Sequence, residues 1–182
     1  MQPELQLRLD ALLATLPQQW VAGLPLAVDE AGVVGRFFKC ELRSRFVAAD
    51  IGGATLTRAE LEVQGPGGEP FPPAKLFTLA AGADGLLKLD RLCRLIHALN
   101  HFVVAGRSEP LLLSIHPRLF DYVKTAHGRT FARLLAHFEL APAQVVLELP
   151  SGLPQATIDG YLGEGFALRI APAEAAAELA KA

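Results

Sequence analysis

The sequence predicts an α/β fold on a largely parallel sheet, and three observations carry that prediction. Short stretches, "PLLLSI" at 110–115, "QVVLEL" at 144–149 and "FALRIA" at 166–171, alternate with helical patterns, as βαβ units do. The first is almost wholly apolar, as a strand covered on both faces must be. Hydrophobic residues make up 51% of the 182, so the chain has material for a sizeable core and does not read as disordered.

Each element follows in order. Leu5, Leu9, Leu12, Leu13 and Leu16 fall at helical spacing, and Pro17 stops that pattern. A Gly- and Pro-containing loop is expected at 23–29. "GRFFKCELRSRFV" at 35–47 alternates residue types and predicts one strand. "DIGG" at 50–53 turns the chain, and "ATLTRAELEV" returns as the second arm of a hairpin. "QGPGGEPFPP", with three Gly and four Pro, is the strongest loop signal. A short helix then precedes a glycine break. A longer amphipathic helix follows, with Leu89, Leu92, Leu95, Ile96 and Leu99 on one side. Beyond the 110–115 strand, residues 118–138 predict helix, with Phe120, Val123, Phe131, Leu134, Leu135 and Phe138 apolar. Another helix is expected within 153–165, and "PAEAAAELAKA" has the composition of a closing helix or frayed tail. The division expected is an N-terminal helix and linker at 1–35, then one α/β domain at 36–182.

Charge and composition exclude several functions. A net charge of −2 gives no general basic footprint for nucleic acid. No apolar run approaches the ~18–20 residues of a membrane helix. The N-terminus lacks the basic region of a signal peptide, so a cytoplasmic location is expected. Cys40 and Cys93 have no CxxC spacing and read as reduced, buried thiols.

Few residues offer chemistry on pattern alone. Ser114 and His116, two apart at a strand end, share a face and have the types of a nucleophile and base. No third orienting group accompanies them, and Pro117 ends the strand, so a rim histidine satisfied by hydrogen bonds is the default. His97, His101, His127 and His137 lie on predicted helices, where surface or packing roles are expected. Lys39, Arg43, Arg45 and Arg58 give the hairpin positive character, read as a solvated strand face in preference to a nucleotide surface. "GPGGEP" lacks the Lys-Ser/Thr ending of a phosphate loop.

The order of these pieces resembles the EAL domain, the phosphodiesterase family that cleaves cyclic di-GMP. The pieces that carry the resemblance are the hairpin, the Gly-Pro loop ending in "PPAKLF", and "LDR" opening the long helix. "LLLSIHPRLF", "LAPAQVVLEL" and "GFALRIA" then follow at near-family spacing. The resemblance implies a TIM-like (βα) barrel. Such barrels need about 250 residues and eight βα units, so the expectation is an incomplete barrel, roughly its first half, over 36–182.

The family hydrolyses a phosphodiester with two divalent cations held by carboxylates and an Asn. Carried over residue by residue, its name-giving Glu falls on Arg58, and its phosphate-contacting Arg falls on Glu62. Its substrate Gln falls on Ser44 and its metal-binding Asn on Ser114, while one carboxylate is kept as Glu148. The paired aspartates fall near Ala173 and Glu174. A register shifted by two residues brings Glu60 or Glu62 to the first metal position and still leaves the Asn and the Asp pair missing. Arg58 comes to the rim of Glu148, where the two are expected to pair and neutralise the old pocket.

The resemblance therefore implies a catalytically inactive bacterial regulator, with no cofactor and magnesium or manganese only if activity remains. It would act by protein contact, through a homodimer or a regulatory partner, with the leucine-rich N-terminal helix as a cover for the open half of the barrel. The alternatives are a receptor that binds cyclic di-GMP without cleaving it, and a phosphodiesterase whose site is completed in trans.

Overall fold

The computed structural model describes residues 2–15, 24–80, 82–123 and 128–172. Helix α1 (Gln2–Thr15) leads into strands β1 (Leu26–Asp29), β2 (Gly32–Phe37), β3 (Cys40–Ile51) and β4 (Ala54–Gln64). Helices α2 (Pro73–Leu79) and α3 (Gly82–Ala98) follow, and α3 runs on into a π-helical turn, Leu99–Val104. The rest alternates: β5 (Leu111–Ser114), α4 (Leu119–Tyr122), α5 (Arg129–His137), β6 (Val145–Leu149), α6 (Gln155–Gly163) and β7 (Ala167–Ile170).

The seven strands form one sheet in strict chain order. β1 to β4 pair antiparallel with their neighbours, and β4 to β7 pair parallel. The antiparallel half turns at tight loops and the parallel half crosses over through helices, as the connection lengths demand. Gly52 and Gly53, at φ 61° and 81°, make the β3–β4 turn at a conformation L-residues resist.

Four expectations of the sequence change here. The loop at 23–29 contains β1, which pairs with β2 residue by residue. The single strand at 35–47 is two strands, broken by Phe38 and Lys39 at φ 46° and 63°. No Gly, Asn or Asp marks that turn, so the pattern ran through it. The helix at 118–138 is interrupted. α4 closes at Val123, whose backbone is extended, and α5 starts after Gly128 at φ 80°. The boundary expected after residue 35 falls within β2, which shares the sheet with β3. The 172–182 tail, Leu16, Pro17, His127, Ala173 and Glu174 lie outside the described residues apart from Pro172.

Helices pack on one face of the sheet. Leu111, Leu113, Val145, Leu147 and Leu149 meet Phe131, Leu135, Tyr161 and Phe166 in the largest core cluster. A second cluster joins Leu42 and Val63 to Leu76, Leu89, Leu92 and Ile96. Helix α1 does not cover the far edge of the sheet. Its Leu9 packs with Val33, Leu95 and Leu99, and Gln6 Oε1 accepts from Val28 N at 2.9 Å. That bond guards the β1 edge, whereas β7 pairs with β6 alone among the described residues.

Asn100, at the start of the π-helical turn, ties α3 to β2. Its Oδ1 accepts from Val33 N and its Nδ2 donates to Val33 O, both at 2.7 Å. The side-chain amide thus pairs as a neighbouring strand would. Gly32 makes room for it: a Cβ there would stand 2.4 Å from Asn100 Oδ1, at φ 127°.

Candidate functional site

Register decides which predicted site residues meet. Side chains alternate between faces along a strand, and directly paired residues share one. Arg58 pairs with Leu112, and Ser114 pairs with Glu148, which pairs with Arg169. Arg58, Ser114, Glu148 and Arg169 therefore stand together on the face away from the helices.

They form a closed cluster. Arg58 Nη1 donates to Glu148 Oε2 at 2.8 Å, and Nη2 donates to Oε1 at 3.1 Å. Ser114 Oγ donates to Oε2 at 2.7 Å and receives Arg58 Nη1 at 3.2 Å. Arg169 Nη1 lies 3.2 Å from Oε1. Glu148 is 2% exposed, and burial alone would raise its carboxyl pKa. The hydrogen bonds from Arg58 and Ser114, with the charges of Arg58 and Arg169, outweigh burial and hold it below the usual range. Such a fork-to-fork pair is the strong geometry for arginine and carboxylate.

The other mapped residues lie elsewhere. Ser44 pairs with Leu61, an odd step from Arg58, so it stands on the helix-covered face. It does not join the cluster. Glu62 lies on the face of Arg58 but pairs with Arg45, 3.4 Å away, and Glu60 also pairs with Arg45. Arg43 is held by Asp29 and Glu41. Most of the hairpin's positive character is thus neutralised in place. His116 stacks on Phe77 with ring centroids 4.4 Å apart, and its Nδ1 accepts from Arg118 N at 3.3 Å. Burial, then the charge of Arg118, pushes its pKa down to about 4. Ser114 gives its proton to Glu148, so no serine–histidine pair forms.

On the helix face a second polar cluster was missed by sequence reasoning. Ser44 Oγ lies 2.8 Å from His97 Nδ1, and Asn100 Nδ2 donates to Ser44 Oγ at 3.3 Å. Asp90, Arg94, His97 and His101 recur at helical spacing across the buried side of α3 and the turn after it. That polar stripe inside an apolar face was the available signal. Arg94 pairs with Asp90 and sits over the ring of Phe131, 5.1 Å from its centroid. Burial pushes the His97 pKa down to about 4, so the ring is neutral. Both cysteines are free and buried, and burial raises the Cys93 thiol to about 12.

Between the two clusters lies a cavity of about 370 Å³ at the strand ends. Arg58, Ser114 and Glu148 border it on one side, Arg94 and His97 on the other, with Phe77, Leu61 and Leu113 as apolar wall.

Fold and site together define a mixed α/β domain whose parallel strands end at a self-paired arginine–carboxylate cluster beside a cavity. No protein-family model matches the chain, and no curated protein matches it. Among solved structures it is similar to the crystal structure of the FimX EAL domain, at 20% identity and a TM-score of 0.40. The likeness covers 68% of this chain and 49% of that one, so the chain spans about half the length of that structure.

Two divalent cations, which the motif resemblance implies, do not fit these residues. The guanidinium of Arg58 lies against the buried carboxylate of the cluster, and both oxygens of Glu148 are engaged. No group of three or more His, Cys, Asp or Glu among the described residues could hold a metal ion. No helix among them is long and apolar enough to cross a membrane.

Proposed function

We propose that this chain is an EAL-like domain, built on part of a TIM-like barrel, that lacks phosphodiesterase activity and acts in regulation by protein contact. The motif order in the sequence supports the family reading. The bidentate hold of Arg58 on Glu148 carries the inactive reading. A two-metal hydrolase needs free carboxylates to gather cations and activate water. Here a fixed positive charge replaces one ligand and neutralises the other, at a separation where a cation would meet strong repulsion. Glu62 in the place of a phosphate-binding arginine adds repulsion toward a phosphodiester.

The edge of β7, unpaired among the described residues and carrying the exposed Ile170, supports the contact part of the reading. A strand edge with an apolar residue is a template for another chain.

Calorimetric titration with cyclic di-GMP, with and without magnesium, tests the proposal alongside a turnover assay with magnesium or manganese. The expected result is no saturable heat and no product. Saturable heat without product would make the protein a receptor, and metal-dependent product would overturn the inactive reading.

A further inference from the structure

The cavity at the strand ends has one donor whose proton is fixed and whose atom is accessible. His116 lines the cavity, and its Nδ1 accepts from the backbone N–H of Arg118 at 3.3 Å. A backbone N–H can only donate, so in the neutral ring the proton sits on Nε2. The ring is neutral near pH 7, because burial and then the charge of Arg118 push its pKa down to about 4. Nε2 makes no hydrogen bond among the described residues, and it is not one of the unpartnered side-chain atoms sealed from solvent. Phe77 lies against one face of the ring, with centroids 4.4 Å apart and planes at 13°. The imidazole is thus held by a hydrogen bond and a stack, and its remaining donor is unspent.

The charged groups on the wall are already paired. Arg58, Arg94, Glu60 and Glu148 line the cavity, and their charges cancel. Arg58 and Glu148 hold each other, Glu60 pairs with Arg45, and Arg94 pairs with Asp90. Ser114 Oγ spends its proton on Glu148. An ionised ligand would lose hydration here without meeting a free countercharge, which is costly. The rest of the wall is carbon, from Ala59, Leu61, Pro73, Ala74, Phe77 and Leu113. A volume of about 370 Å³ lies within the range of small-molecule sites, roughly 300–1,000 Å³, which are mostly apolar with a few placed polar groups.

We propose that this cavity binds a small neutral molecule with an apolar, ring-sized body and one hydrogen-bond acceptor, the body lying on the carbon wall beside Phe77 and the acceptor taking His116 Nε2–H. The site goes beyond the regulatory reading and does not rest on it, because it needs neither a metal nor a free member of the Arg58–Glu148 pair. Arg118 acts behind it, by holding the His116 tautomer through its backbone N–H.

Acetophenone is the probe, with ethylbenzene as the same body without an acceptor and phenylacetate as a similar body carrying charge. Titration of the full chain is followed by ¹H–¹⁵N correlation spectra, including the long-range imidazole signals. Acetophenone should bind saturably, shift His116 Nε2, and show nuclear Overhauser contacts from its ring to Phe77 and Leu113. Ethylbenzene should bind about threefold to tenfold more weakly, the range of one net hydrogen bond, and phenylacetate at least tenfold more weakly. His116→Phe, which keeps a ring on Phe77 and removes the donor, should close the gap between acetophenone and ethylbenzene. Ala74→Phe, which fills the space from α2, should weaken both neutral probes more than tenfold while preserving the dispersed spectrum. Absence of saturation by acetophenone, contacts away from Phe77 and Leu113, or phenylacetate binding as tightly would each overturn the proposal. A gap that survives His116→Phe, or undiminished binding to Ala74→Phe, would do the same.

Discussion

Two polar clusters sit on opposite faces of one sheet, and they are built on opposite principles. The Arg58–Glu148 cluster is charged, and each oxygen of its buried carboxylate has partners in Arg58, Ser114 and Arg169. The Ser44–His97–Asn100 cluster is neutral and joins β3 to α3 and the turn after it through a hydroxyl, an imidazole and an amide. The first cluster holds neighbouring strands together by charge, whereas the second holds the sheet to the helix side by hydrogen bonds alone. The difference lies in what each cluster joins and in whether charge does the joining.

The charged cluster should be the more fragile to truncation. Arg58→Ala leaves a carboxylate that is 2% exposed with reduced compensation, and should cost about 3 kcal/mol in urea unfolding. Glu148→Ala releases arginines that already reach solvent, and should cost about half as much. The double variant should reveal a coupling of about 1–3 kcal/mol, and zero coupling would refute the contact.

Acid should break the two clusters at different pH. His97 has a folded pKa near 4 against 6.5 unfolded, so the unfolded chain binds the proton first. The stability it contributes is complete above pH 6.5 and is lost as pH falls toward 4, about 3 kcal/mol in all. His116 loses stability in the same window. Glu148, whose folded pKa is depressed below 4.5, contributes stability that is present above pH 4.5 and lost only below it. Urea midpoints from pH 7 to 3 should therefore flatten between 6.5 and 4 in His97→Gln, and below 4.5 in Glu148→Gln. The same slopes in wild type and both variants would contradict the assignment.

Asn100→Ala strips partners from Val33 N and O and should cost about 2 kcal/mol. It should also remove one partner of Ser44, visible as altered His97 imidazole ¹⁵N shifts. Smallest is Lys39→Gly, which relieves a left-handed lysine in the β2–β3 turn at φ 63°. It should stabilise the fold by about 1 kcal/mol and leave both clusters unchanged.

Legibility in the sequence followed the range of the interaction. The β3–β4 hairpin was readable because Gly52-Gly53 declares its turn locally. The strands at Leu111–Ser114 and Val145–Leu149 were readable because burial on both faces leaves a run of apolar residues. The meeting of Arg58 and Glu148 came from a motif map, and strand alternation agrees with it. The same map said nothing of the face on which Ser44 stands, which the pairing of β3 with β4 decides. The β2–β3 break escaped because Phe38-Lys39 is a poor turn sequence held by its surroundings. His97 and Ser44 are 53 residues apart, and nothing local to either names the other.

The sheet order has a further consequence, for how the molecule is made. Every strand pairs with the one just before it in the chain, so the sheet can be extended strand by strand during synthesis without waiting for distant segments. Topologies of that kind keep loop closure short and favour rapid assembly. The β3–β4 hairpin, with the longest ladder, is the natural seed. Growth from it toward β7 always exposes a fresh edge, so a ribosome-bound chain presents a succession of transient templates, and charged residues such as Arg169 on β7 act as gatekeepers during that growth.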